Sequence, residues 1–337
     1  MEGSLLGRAR TWLFGTIGAL VAACALLVLV LMWWWDREPD HFDVAATAQA
    51  RAGAASARLV TGSTTTAALM NSAETLLDKR GGYLSNDRMP PGVLMDNVPN
   101  WEFGVLTATR DLARALRNDF SRSQTQSVED KDLQEADPLF SSPNDRWLLP
   151  SSESQYRKAI AHVGAYLTRL GDSDDSNAQF YARADNLADY LQVVSARLGS
   201  LSQRLSAAAG QVRIDTDLGG DPHAQQSTPA SSPRLVQTPW TKIDDNFYEA
   251  RGYTWALREQ LEAIRIDFAP ILASKNAAVS LEQVIRELEE SQKSLGSPIV
   301  LNGTPFGFFA NHSLVMANYI SRANAAVIDL RELLKRG

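Results

Sequence analysis

FYARADNLADYLQVVSARLGSLSQRL (residues 180–205) places apolar side chains at Phe180, Ala184, Leu187, Leu191, Val194, Leu198, Leu201 and Leu205. Alternating steps of four and three over almost four heptads match one narrow stripe on an α-helix and no face of a strand. The pattern recurs at Tyr156, Ile160, Val163, Leu167 and Leu170, and again at Met316, Ile320, Ala323, Val327, Leu330 and Leu334. A fourth run follows Phe247, Ala250, Thr254, Leu257, Leu261, Ile264, Phe268 and Ile271. Sustained period-two alternation is missing throughout. The chain therefore reads as all-α, with long heptad-patterned helices forming an extended antiparallel bundle.

Punctuation marks the helix ends. Ser152 precedes a helix over 153–170, and Gly171 with the acidic turn after it separates that helix from one over 177–209. The two are expected to form a helical hairpin. Ser280 with Gln283 has the form of a capping box opening a helix over 281–295, whose Glu282/Arg286 and Glu289/Lys293 pairs lie four apart. Pro270 should divide the helical window around it. Residues 44–60, 69–77 and 101–120 read as further helices, 81–99 as a structured loop and 121–150 as polar turns. The segment 211–239 is too poor in large apolar residues to pack and reads as a flexible insertion between 36–210 and 240–337.

The N-terminus is of another kind. No side chain from Thr11 to Trp35 is charged, and a helix over that run, at about 1.5 Å per residue, is about 37 Å long against a hydrocarbon core of about 30 Å. Trp12 at one end and Trp33, Trp34 and Trp35 at the other form an aromatic belt. The apolar run is longer than a secretory h-region, and the nearest Ala-x-Ala triplets lie beyond an acidic cluster. Val21-Ala22-Ala23-Cys24 has the shape of a lipoprotein box, but Ala25 to Met32 is the most apolar part of the segment. A permanent single-pass anchor over 11–35 is the expectation. Arg8 and Arg10 precede it while Asp36, Glu38, Asp40 and Asp43 follow, which favours a cytoplasmic stretch 1–10 and an exported remainder. Gly15, Ala19 and Ala23 share a small-residue face suited to pairing of membrane helices.

Of the chain's net charge of −6, residues 1–10 contribute +1, so the remainder carries −7 and lacks the long basic stripe that binding to nucleic acid or anionic lipid requires. Cys24 is the only cysteine, which excludes disulfides and an exported thiol nucleophile. Known hydrolase, phosphate-loop and dinucleotide fingerprints do not occur, and His41, His162, His223 and His312 form no recognisable metal motif. Asp244, Asp245 and Glu249 could serve as paired carboxylates, although Asp244 and Asp245 also suit the first turn of a helix. Tyr248, Glu249, Arg251, Tyr253 and Trp255 crowd polar and aromatic groups into one helix, as an interface or as a second buried face. In NGTPFGFFANHS (302–313), Phe306, Phe308 and Phe309 either plug the end of the bundle or form an aromatic patch for a partner or the membrane surface, and His312 beside them is a lesser candidate for polarising a substrate.

The segments GGYLSNDRMPPGV (81–93), LLPSSESQYR (148–157), QFYARADNL (179–187), LGSLSQRLSA (198–207), FYEARGYTWAL (247–257) and FGFFANHSLVMANYISRANAAVIDLREL (306–333) together resemble a bacterial family catalogued as domain of unknown function 2333. The resemblance implies a Gram-negative inner-membrane protein with a periplasmic helical domain. It implies no activity, cofactor or catalytic residue. The expected function is a non-enzymatic envelope scaffold or adaptor, held in the bilayer through 11–35 and binding an envelope protein or a second copy, with Phe306, Phe308 and Phe309 as a candidate contact. No cofactor or metal is expected. The alternatives are an envelope enzyme acting on cell-wall or lipid substrate through carboxylates or a histidine, which requires a cleft where titratable groups converge, and a sensor working through a partner.

Overall fold

A helix with a continuous apolar stripe must bury that stripe, and the heptad runs do so in one shared core. The computed structural model describes residues 2–54, 58–122, 128–172, 177–213, 234–297 and 299–336. It is all-α apart from one short ribbon. α1 (Glu2–Trp35) is followed by α2 (Val44–Ala54), α3 (Ser63–Asp78), α4 (Asn97–Ala115), α5 (Lys131–Phe140), α6 (Ser152–Leu170) and α7 (Ala184–Ser206). After the ribbon come α8 (Ile243–Asp267), α9 (Ala269–Ser274), α10 (Ala278–Ser291) and α11 (His312–Lys335). One cluster of buried apolar side chains runs from Leu69 to Leu334 and includes every seam leucine of α7. Each such side chain contributes about 1.5–3 kcal/mol when fully buried.

Side-chain contacts fix the helix directions. Asn100 reaches Asp245 near the starts of α4 and α8, and Phe120 packs on Phe268 beyond their ends, so these two run parallel. They cross closely at two glycines. A β-carbon on Gly104 would lie 2.1 Å from the Glu249 carbonyl oxygen, and one on Gly252 would lie 1.9 Å from that of Trp101. α7 runs against α8 through Arg204–Glu249 and Tyr190–Gln260, and against α11 through Ser202–Ser321 and Arg331–Gln192. α10 opposes α11 through Arg322–Glu287, and α3 opposes α8 through the Thr65 hydroxyl, which donates to Asp267. α6 starts beside the end of α3 through Arg157–Asp78, and the end of α5 lies at the start of α6, where the Tyr156 hydroxyl donates to the Ser142 carbonyl. One end of the bundle thus gathers the α3–α4, α5–α6, α7–α8 and α10–α11 connections.

Several local expectations are overturned by tertiary contacts. α7 begins at Ala184 rather than near 177, because 178–183 is drawn out as extended chain: the Tyr181 amide donates to the Phe120 carbonyl, and Phe180 packs between Phe120 and Phe268. α6 and α7 form no hairpin; α6 packs on α5 and α3, and α7 on α11. The polar stretch 121–150 contains α5, capped by Asp130, whose carboxylate accepts from the Asp132 and Leu133 amides. α10 starts at Ala278 without a side-chain cap, so Ser280 lies inside it. There Glu289 pairs with Arg258 of α8 and Lys293 with Glu290. Pro270 divides α8 from α9 as expected. The expected flexible insertion lies mostly outside the described residues. Its flanks pair as antiparallel strands β1 (Gln211–Arg213) and β2 (Arg234–Val236).

α1 is long and apolar enough over Trp12–Trp35 to cross a membrane, and none of that stretch is buried against the rest of the protein.

Candidate functional site at the membrane junction

The residues after α1 do not form a loose tether. The Trp35 indole lies over Gly81 in the α3–α4 connection, where a β-carbon would come within 2.7 Å of the ring. Arg37 turns back over the Trp33 ring, its guanidinium 4.3 Å from the centroid. Residues 38–43 then run without regular secondary structure along α8. Glu38 is gripped by Arg251, with Arg251 Nε donating to Glu38 Oε1 at 2.6 Å. The same buried guanidinium donates to the Ser291, Gln292 and Lys293 carbonyls at the end of α10. One cation thereby ties the segment after α1, α8 and the C-terminus of α10, where the helix dipole also favours positive charge.

Further along, His41 Nδ1 lies 2.5 Å from Glu259 Oε1, and the imidazole stacks on Trp255 with centroids 6.0 Å apart. Glu259 is fully buried and also accepts from Arg258 Nη1 at 2.9 Å. Its Oε2 atom has no protein partner. Burial pushes the Asp36 carboxyl above the usual carboxylate range, opposed by a hydrogen bond from Asn97 and reinforced by Glu38 and Asp96. These groups line an open cleft of about 510 Å³, with Glu38, Asp40, His41, Tyr248, Arg251 and Gln292 in its wall. With Nδ1 held by a buried carboxylate, the imidazole has its second nitrogen to accept or pass a proton, the arrangement that orients a general base.

A family model described as "Uncharacterized protein conserved in bacteria (DUF2333)" matches residues 8–337. The chain belongs to this family. No curated protein and no solved structure matches it.

In this DUF2333 chain the residues singled out from sequence fall in different places. Phe306, Phe308 and Phe309 stand out from the α10–α11 loop at 104, 96 and 68 % exposure, so they do not plug the bundle. The loop is closed beneath them: the Gly303 amide donates to the Ala310 carbonyl, the His312 amide to the Leu301 carbonyl, and the Leu301 amide to His312 Nδ1 at 3.0 Å. His312 is thus a loop pin, and burial lowers its pKa. Gly15, Ala19 and Ala23 lie on the open surface of α1, where none of the described residues covers them.

The acidic trio of α8 does not converge. Asp245 pairs with Lys242 and accepts from Asn100, while Glu249 pairs with Arg204. Among the described residues no group of three or more His, Cys, Asp or Glu side chains is placed to hold a metal ion. His223 lies outside the described residues. His41, Glu38 and Glu259 escape a reading by helical period, because their partners are more than 200 residues away in the chain. The one sequence signal was the crowding of Arg251 and Trp255 off the seam of α8.

Proposed function

We propose that this chain is a single-pass inner-membrane protein with a cytoplasmic N-terminus and a periplasmic helical domain, acting as a non-catalytic scaffold for other envelope proteins. The observation that carries the reading is the docking of residues 36–43 along α8, which makes anchor and bundle one body at a set attitude to the membrane. A scaffold needs such a platform, since a fixed surface presents partners in fixed orientation. The charge difference between Arg8 and Arg10 before the span and the acidic residues after it supports the orientation. The exposed aromatic loop at 306–309 is one surface for contact with another component of the envelope. Purification of the full-length protein from native membranes in mild detergent tests the reading. A stoichiometric protein partner is expected, and recovery of the chain alone overturns it.

A second reading is favoured by the cleft, where several titratable groups converge: an envelope enzyme using His41 as a proton acceptor oriented by Glu259. Its test is a His41→Gln variant assayed on isolated cell-wall and phospholipid fractions. Hydrolysis by the wild type that is lost in the variant supports it, whereas partner capture unchanged in the variant with no hydrolysis by either protein favours the scaffold.

A further inference from the structure

The bundle end that receives the anchor differs chemically from the opposite end. Beyond α1, six Trp or Phe side chains among the described residues are exposed: Phe103, Trp147, Trp240, Phe306, Phe308 and Phe309. All but Phe103 lie on connections at the end where Trp35 meets Gly81. Each of the four connections there exposes apolar side chains among the described residues. The α3–α4 connection exposes Met89 and Leu94, and the α5–α6 connection exposes Trp147 and Leu149, the latter at 95 %. The α7–α8 connection exposes Leu235 and Trp240, and the α10–α11 loop its three phenylalanines. Among the described residues of the far end, the turn Ser274-Lys275-Asn276 between α9 and α10 is polar, and the exposed apolar residues Leu59, Val128 and Val279 are scattered aliphatics.

We propose that this end of the bundle is a second membrane-contact surface, the exposed apolar residues of its four connections seated in the headgroup region of the leaflet that α1 leaves. The inference rests on the anchored reading above and assigns the contact of the aromatic loop to lipid. Three arguments carry it. Trp35 and residues 36–43 are packed onto the bundle, so this end is held within a few residues of the bilayer surface. Tethering at that distance supplies a high effective concentration, so the loops need little affinity of their own. Indole and phenyl rings favour the boundary between hydrocarbon and water, where Trp33 and Trp34 of the anchor already lie. Finally, exposed apolar residues of four separate connections lie at the one end that Trp35, the last residue of α1, contacts. A protein partner on the same face would have to wrap around the anchor.

The test uses the full-length chain carrying Cys24→Ser, reconstituted in vesicles of phosphatidylethanolamine and phosphatidylglycerol. Single cysteines are placed by Phe308→Cys, Leu149→Cys, Val279→Cys or Val128→Cys, labelled with an environment-sensitive fluorophore, and quenched by nitroxide-labelled lipid. Quenching at 308 and 149 at least three-fold stronger than at 279 and 128 is expected. Equal quenching at both ends overturns the proposal, as does quenching at 308 without quenching at 149. Photo-crosslinking from position 308 in native membranes is expected to yield lipid adducts; a protein adduct in their place overturns it. Co-purification of a partner is a separate readout, so failure of the lipid contact and failure of the scaffold reading are distinguishable.

Discussion

Arg251 and Glu38 lie 213 residues apart in the chain, yet their side chains meet at 2.6 Å and join the segment after the apolar helix α1 to α8. Arg251 is almost wholly buried and has three further acceptors at the end of α10, so its removal strands carbonyls as well as a carboxylate. Arg251→Gln should therefore cost about 3–5 kcal/mol of stability, and Glu38→Gln distinctly less because Glu38 is partly solvated. A double-mutant cycle by chemical unfolding in detergent should give a coupling energy of at least about 1 kcal/mol. Additive single costs would show that the ion pair does not hold the junction.

At the α4–α8 crossing the obstacle to a methyl group is backbone, which cannot swing aside. Gly252→Ala, whose β-carbon would meet the Trp101 carbonyl, should destabilise by about 2–3 kcal/mol. Gly53→Ala, where nothing lies within 4 Å, provides the control and should be neutral or slightly stabilising. Thermal unfolding of the two variants separates crossing from propensity.

The buried Glu102 carboxylate pairs with Lys79 and also accepts from the Leu84 and Ser85 amides, which shapes the α3–α4 connection beneath Trp35. Lys79→Met leaves that charge unpaired and should cost about 3–5 kcal/mol. Protease cleavage within 85–95 should accelerate in the variant before global unfolding does.

Asp119 offers a pH test. Burial, with help from nearby Asp189 and against Arg122, pushes its carboxyl up to about 6. A folded-state value above the unfolded one means that its contribution to stability is complete below about pH 4 and is lost as pH rises through about 6. Asp119→Asn should thus match the wild type near pH 4 and exceed it at pH 7.5, by about 1 kcal/mol after allowance for solvent at this half-buried site. A variant advantage independent of pH would point to another cause.

The small-residue face of α1 predicts self-association. Gly15→Leu combined with Ala19→Leu should weaken pairing of the isolated span about ten-fold in a membrane dimerisation reporter, since bulk there keeps backbones apart. Leu20→Ala, on a different face, should leave pairing unchanged.

What was legible beforehand were features set by neighbours in sequence. The seam from Leu187 to Leu205 shows helix because its period is a property of a few turns, and Pro270 divides α8 because the ring removes a local donor. The capping box at Ser280 failed for the opposite reason: α10 begins three residues earlier than Leu281, and Ala277 packs wholly buried in the core at that start. Phe180 likewise continues a helical pattern but leaves it to stack between two rings from distant segments.

By itself the amino-acid sequence determined an uninterrupted apolar span, an acidic all-α domain and a family, because hydropathy, period and similarity are all carried along the chain. Only the tertiary structure decided that the exit segment docks on α8, that His41 meets Glu259, and that four connections with exposed apolar residues, three of them carrying rings, share the end where Trp35 meets Gly81. Those facts depend on which helices run parallel and which opposed, and helix direction in space is set by long-range packing that no local pattern encodes.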